Sequence, residues 1–292
     1  MSRKIAPTPG DTLTSVATLR AETTVRKPSP RRFVMCRPDY FDVTYCINPW
    51  MDPEAPVDRA LALLQWETLR ATYEEYGHKV DVVPGVPGLP DMVFAANGGL
   101  VVGDRAMSAR FTHVQRAAEG PAYHNWFAKH GLAGLVDAKE INEGEGDFLL
   151  VGDRMLAGMG FRSSLAAHRE VAQHFSRPVL SLELVDPRFY HLDTVLLPLD
   201  DNTIAYFPPA FSAESQAVLA ELFPDAIVAT DADAEVLGLN GVSDGLNVFL
   251  SDKAVALSEA LRARGYHPIG IDMSELLKAG GSVKCCTLEI HE

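Results

Sequence analysis

The sequence has no C-x-x-C pair among its four cysteines, Cys36, Cys46, Cys285 and Cys286, so the common zinc patterns are missing. No apolar run approaches the ~20 residues that a membrane helix needs. The N-terminus lacks the basic-then-apolar order of a secretory signal. These absences point to a cytoplasmic chain with free thiols rather than a disulfide scaffold. Basic residues are also in deficit: 26 Lys and Arg against 39 Asp and Glu give a formal net charge of -13. Phosphate binding calls for clustered cations, so neither nucleic acid nor membrane is an expected partner. The deficit is uneven. Residues 1–32 carry seven basic side chains against Asp11 and Glu22, and are read as a flexible basic arm.

What remains, residues 33–292, is long enough to bury a large core and is read as a single α/β domain. Its organisation shows in a repeat. Gly99-Leu-Val-Val-Gly-Asp-Arg105 is echoed by Phe148-Leu-Leu-Val-Gly-Asp-Arg154, and two further polar turns are centred on Asp201 and Asp252. The four markers are 49, 48 and 51 residues apart. Each copy reads as an apolar strand, a polar turn and a second apolar strand. Helical stretches follow, at Asp58–Tyr76, 122–130, 163–175, 212–223 and 256–265, some with a short strand after them. With a first unit near Arg32–Tyr45 and a closing strand at Lys284–Ile290, about five strand-strand-helix-strand units are expected. Asn97, Asp147, His191, Asp193 and Asp244 all fall six to ten residues before a marker. Each would stand where its unit's first strand begins. If the units close round an axis, those residues meet in one pocket.

Singly, the candidate residues are weak signals. A cysteine entering a strand, as Cys285 does, is more often a small core residue. His191 in Tyr-His-Leu-Asp could be a surface group, and Glu143-Gly-Glu-Gly-Asp147 a polar turn. In combination and in this order, Asp91-Met-Val-Phe-Ala-Ala-Asn97, Glu-Gly-Glu-Gly-Asp, His-Leu-Asp and the C-terminal Gly-Gly-Ser-Val-Lys-Cys285 resemble the guanidino-group-modifying superfamily. That family takes in arginine deiminases, dimethylarginine dimethylaminohydrolases, amidinotransferases and arginine dihydrolases.

The resemblance runs from about Arg32 to Glu292. It implies a five-fold pseudosymmetric α/β propeller (a pentein) and a cysteine hydrolase that cleaves C–N bonds of a guanidinium. On the family's pattern, Cys285 rather than Cys286 is the nucleophile, His191 the acid and base, and Glu143 the group that orients the imidazole. Asp193 would grip the guanidinium and Arg116 the substrate carboxylate, with Arg110 a rival. Deiminases usually carry Asp where this chain has Asn97. With Ile47-Asn-Pro-Trp-Met51, that departure resembles the arginine dihydrolase branch, in which both asparagines, Asn48 and Asn97, position substrate and the products are ornithine, ammonia and CO2.

Other branches stay open, namely a dimethylarginine dimethylaminohydrolase or deiminase giving citrulline, or an amidinotransferase. The expected partner is arginine or a methylated arginine, with a homo-oligomer left open. Thiol and imidazole suffice for the chemistry, so no cofactor or metal is implied. An activated thiolate at Cys285 should react with iodoacetamide before Cys36 or Cys46.

Overall fold

The structure, a computed structural model, describes residues 26–132 and 134–292. In chain order the elements are β1 (Arg32–Cys36), α1 (Arg59–Glu75), β2 (Lys79–Val83), β3 (Gly99–Val102), β4 (Arg105–Ser108), α2 (Glu119–Lys129), β5 (Leu135–Asp137), β6 (Phe148–Val151), β7 (Arg154–Met159), α3 (Leu165–Phe175) and β8 (Val179–Glu183). There follow β9 (Leu196–Pro198), β10 (Ile204–Tyr206), α4 (Ala213–Leu222), β11 (Ile227–Val228), α5 (Asp231–Ala234), β12 (Val242–Ser243), β13 (Asn247–Ser251), α6 (Val255–Ala263), β14 (His267–Ile271), α7 (Ser274–Leu277) and β15 (Leu288–His291). The fold is mixed α/β.

One pairing scheme recurs. β3 runs antiparallel to β4, and β4 lies parallel to β5 across α2. The same order holds for β6-β7-β8, β9-β10-β11 and β12-β13-β14. The fifth copy is assembled from both ends of the described chain: β15 pairs antiparallel with β1, and β1 lies parallel to β2. β15 also pairs parallel with β3, joining two copies into one sheet of order β2-β1-β15-β3-β4-β5. The parallel third strand needs a crossover, and a helix supplies it.

Helix α1 shows how sequence sets these crossovers. Asp58 accepts from the Leu61 amide at 3.0 Å and caps the N-terminus. Ala62, Trp66, Leu69 and Tyr73 then recur at three- and four-residue spacing and are buried. Full burial of each of the three larger side chains contributes on the order of 1.5–3 kcal/mol. Leu61 and Leu64 fall near the same spacing, but Leu64 is 62 % exposed, and the buried face is the one that carries Trp66.

Two sequence expectations shift. The Asp252 turn is not a hairpin tip: β13 ends at Ser251 and the chain goes into α6. The true tip of that copy is Asp244-Gly-Leu246, between β12 and β13, where Asp244 accepts from the amides of Leu246 and Asn247. β12 has only two residues and carries no periodic signal. The final strand starts at Leu288, so Cys285 lies in the turn before it rather than on the strand.

Most of the basic arm, residues 1–25, lies outside the described residues. From Arg26 onward the chain is laid on the domain. The Arg26 guanidinium pairs with Asp200 and stacks 3.7 Å from the Tyr266 ring centre, and the Ser29 amide donates to the Asp244 carbonyl.

Candidate active site

Each copy brings a polar residue to the start of its first strand, and all of these are buried: Asn97, Glu143, His191 with Asp193, Asn240 and Cys285. Short 3-10 turns hold three of the approaches, Ala95–Gly98, Gly144–Gly146 and Leu192–Thr194.

The Glu-Gly-Glu-Gly-Asp segment sends its three acids different ways. Glu143 accepts from His191 Nε2 at 2.8 Å, Arg162 Nη1 at 3.1 Å and the Thr112 amide at 3.0 Å. Glu145 turns away from His191 and accepts from Lys284 Nζ at 2.5 Å, His291 Nε2 at 2.9 Å and the Glu289 amide. Asp147 accepts from the Leu192 amide, tying this segment to His-Leu-Asp. Gly144 has φ +58, and a Cβ there would lie 2.5 Å from the carbonyls of Ala96 and Gly99, so only glycine fits. At Gly146 a Cβ would lie 2.3 Å from Asn97 Nδ2 and 3.2 Å from His191 Nδ1, so these two side chains flank the same glycine.

The nucleophile candidate is held by two groups. Cys285 Sγ is 3.3 Å from Asp193 Oδ2 and accepts from Asn240 Nδ2 at 3.1 Å. Burial, reinforced by the Asp193 carboxylate, pushes the thiol well above its ordinary pKa. Burial likewise raises Asp193 to about 7, against the pull of Lys284. For Glu143, burial acts upward but is outweighed by the His191 hydrogen bond and the Arg162 cation, so the carboxyl sits below its usual range. His191 is lowered by burial to about 4 despite Glu143. It is therefore neutral near pH 7. With Nε2 donating to Glu143, the Nδ1 lone pair is free to take a proton.

Three polar atoms of this cluster are buried without a partner: His191 Nδ1, Asn97 Nδ2 and Asp193 Oδ1. Buried polar atoms are nearly always matched. A lone pair, an amide donor and a carboxylate oxygen together suit a ligand that both donates and accepts, as a guanidine or urea does.

The remaining candidates are engaged with protein. Arg116 is clamped by both oxygens of Glu119 at 2.8–2.9 Å, and also donates to Asn97 Oδ1 at 2.9 Å and the Asp91 carbonyl. A guanidinium so committed fixes Asn97 rather than reaching for a carboxylate. Arg110 is exposed and donates to the Lys139 carbonyl. Asn48 accepts from the Trp50 amide and donates to Tyr190 Oη and the Ala279 carbonyl. It fastens the 47–50 segment, to which Arg162 also bonds through the Ile47 carbonyl. Cys46 is exposed while Cys285 is buried, so in the ligand-free state the expected order of thiol labelling reverses and Cys46 comes first.

Sequence reading missed Asn240 and Arg162. Asn240 occupies in its copy the place that Asn97 and His191 occupy in theirs. Misplacing the hairpin tip at Asp252 put Asp244 there instead. Arg162 follows β7 by three residues, with no pattern to mark it.

No family model matches the sequence. The chain is 56% identical over 266 residues to the N(G),N(G)-dimethylarginine dimethylaminohydrolase of Mycobacterium tuberculosis, which covers 91% of this chain and 88% of that one. It is 39% identical over 267 residues to the bifunctional arginine dihydrolase/ornithine cyclodeaminase AgrE of a Nostoc species, covering 89% of this chain and 38% of that protein. Among solved structures, the N-terminal domain of ArgZ, a cyanobacterial arginine dihydrolase, superposes with a TM-score of 0.86 at 37% identity, over 90% of this chain and 98% of that domain. Solved forms of that domain include a cysteine-to-serine variant bound to substrate and an asparagine-to-serine variant covalently bound to a reaction intermediate. The chain therefore belongs to the guanidino-group-modifying superfamily, in the branch of hydrolases that takes in dimethylarginine dimethylaminohydrolase and arginine dihydrolase.

Proposed function

We propose that the five copies close round a pseudo-fivefold axis as an α/β propeller with the site on that axis, and that the enzyme is an arginine dihydrolase. The orientation of Asn97 carries the choice. Arg116 can only donate, so it holds the Asn97 carbonyl and leaves the amide NH2 as the atom facing His191. An NH2 group cannot accept from a guanidinium cation. It can donate to the neutral oxygen that the first water leaves on the thiol-bound carbon, which is the group the second loss of ammonia must hold.

In this reading Cys285 attacks the guanidinium carbon, and the thiol proton passes to the free Nδ1 of His191 as the S–C bond forms, leaving the imidazole charged for the next step. His191 passes a proton to the departing nitrogen and ammonia leaves, giving a thiol-bound amidino intermediate. Water, deprotonated by His191, adds to that carbon. A second ammonia leaves, and a second water releases the remaining carbon. Arginine and two waters thus give ornithine, two ammonia and CO2. Asp193 pairs with the cationic end of the substrate. The four free thiols suit a cytoplasmic enzyme.

The dimethylarginine reading, with citrulline as product, is favoured by the 56% identity to a protein of that name. Incubation with arginine, and separately with asymmetric dimethylarginine, followed by mass spectrometry separates the two. The dihydrolase reading expects ornithine from arginine, abolished by Cys285→Ala; citrulline alone from either substrate overturns it. Asn97→Asp should stop at or near citrulline, and undiminished ornithine from that variant would sink the role given to the amide.

A further inference from the structure

The fully buried side chain of Asn240 uses every hydrogen-bonding capacity it has. Its Oδ1 accepts from the amides of Ser282 and Cys285, each at 3.0 Å. Its Nδ2 donates to the Asp193 carbonyl and to Cys285 Sγ, each at 3.1 Å. The orientation of this amide is not free. Two main-chain N–H groups must face an oxygen, and a main-chain carbonyl must face an N–H. Sulfur therefore always meets a donor.

The surroundings of that sulfur make the donor matter. Among the described residues, the other side-chain partner of Sγ is the Asp193 carboxylate, which opposes a negative charge. No Lys or Arg is hydrogen-bonded to it. A hydrogen bond strengthens when its acceptor becomes an anion, so the Asn240 donor is worth more to the thiolate than to the thiol. We propose that Asn240 is a catalytic residue that stabilises the Cys285 thiolate, while its oxygen sets the 282–285 turn that aims the sulfur. This inference rests on Cys285 being the nucleophile.

The test compares Asn240→Ala and Asn240→Asp with the parent enzyme in two measurements. One is the pH profile of kcat with arginine or dimethylarginine, whichever turns over. The other is the iodoacetamide labelling rate at Cys285, followed on its own peptide so that exposed Cys46 does not interfere. For Asn240→Ala, kcat should fall about 10- to 100-fold, the range for losing a hydrogen bond to a charged group. The rising limb of the profile should move up by about one pH unit or more, and labelling at pH 8 should slow about 10-fold. Asn240→Asp should move the limb further, because a carboxylate oxygen then faces the sulfur. In a Cys285→Ala background, where no thiolate can form, Asn240→Ala should change arginine affinity less than about threefold.

A loss of kcat with the limb and the labelling rate unmoved would reduce Asn240 to a turn-setting residue and overturn the proposal. An equal loss of affinity in the Cys285→Ala background would do the same. Turnover surviving in Cys285→Ala itself would remove the nucleophile reading, and this inference with it.

Discussion

The Lys284–Thr287 segment separates two buried polar clusters with opposite bookkeeping. On one side, both oxygens of Glu145 are matched, by Lys284, His291 and the Glu289 amide, and Lys284 also donates to the Thr287 carbonyl. Burial works to raise Glu145, but the Lys284 ammonium and His291 imidazole hold it below its usual range. A cavity of about 240 Å³ opens on this side, with Lys284, Glu145 and His291 in its wall. On the other side Asn97, His191 and Asp193 each keep one atom unmatched, and Asp193 is pushed up to about 7. Two carboxylates in one Glu-Gly-Glu motif, equally buried, thus serve different ends. Glu145 locks β15 in place, and Glu143 readies an imidazole. Glu145 spends its hydrogen bonds within the fold, while His191, Asn97 and Asp193 each keep an atom for substrate.

The sharpest way to break this contrast is at His191. His191→Ala should lower kcat by about 10² to 10⁴-fold, the usual worth of a positioned acid and base, with the melting temperature little changed. A large loss of stability with modest loss of rate would place His191 in the matched class. Glu145→Ala should do the reverse. It leaves Lys284 and His291 without their carboxylate and should cost about 3–5 kcal/mol of unfolding free energy, read by urea denaturation. The kcat of the folded enzyme should stay within about tenfold.

Asp193→Asn sharpens the comparison through pH. The folded pKa of Asp193, about 7, lies above its unfolded value, so the folded state holds the extra proton. Its contribution to stability is present at low pH and lost as pH rises through that window. Asp193→Asn should therefore melt well above the parent at pH 8, by much less at pH 5, and close to it only near pH 4, while losing activity. A melting difference independent of pH would contradict the strain assigned to this carboxylate. At the far end of the scale, Asp104→Asn and Asp153→Asn, at exposed hairpin tips, should each change stability by less than about 0.5 kcal/mol.

The two clusters were unequally legible in the sequence. The Asp104 and Asp153 turns marked real hairpins, because a tight turn constrains its own residues. The start of each first strand followed from them, and Asn97, Asp147, His191 and Asp193 do lie at such positions, whereas Asp244 sits at a hairpin tip and Glu143 and Cys285 were named by the family resemblance alone. Asn240 was hidden because its strand is two residues long, and the strong apolar run Asn247–Leu250 drew the hairpin eight residues downstream. The commitments of Arg116 to Glu119 and of Asn48 to Tyr190 and Ala279 were out of reach for another reason. A sequence shows that a polar group is present, but not whether a neighbour has already satisfied it. The matched cluster of Glu145, Lys284 and His291 joins residues 139 and 146 positions apart, and no local pattern reports such a pairing.

The central claim is that the unmatched cluster exists to carry chemistry on Cys285, and trapping the intermediate tests it most directly. The enzyme would be mixed with arginine, quenched in acid within a turnover, digested and mapped by peptide mass. The account predicts a covalent adduct on the Cys285 side chain that disappears in Cys285→Ala and accumulates when His191 is replaced. An adduct on Cys286, or turnover of arginine with no adduct on either thiol, would contradict it.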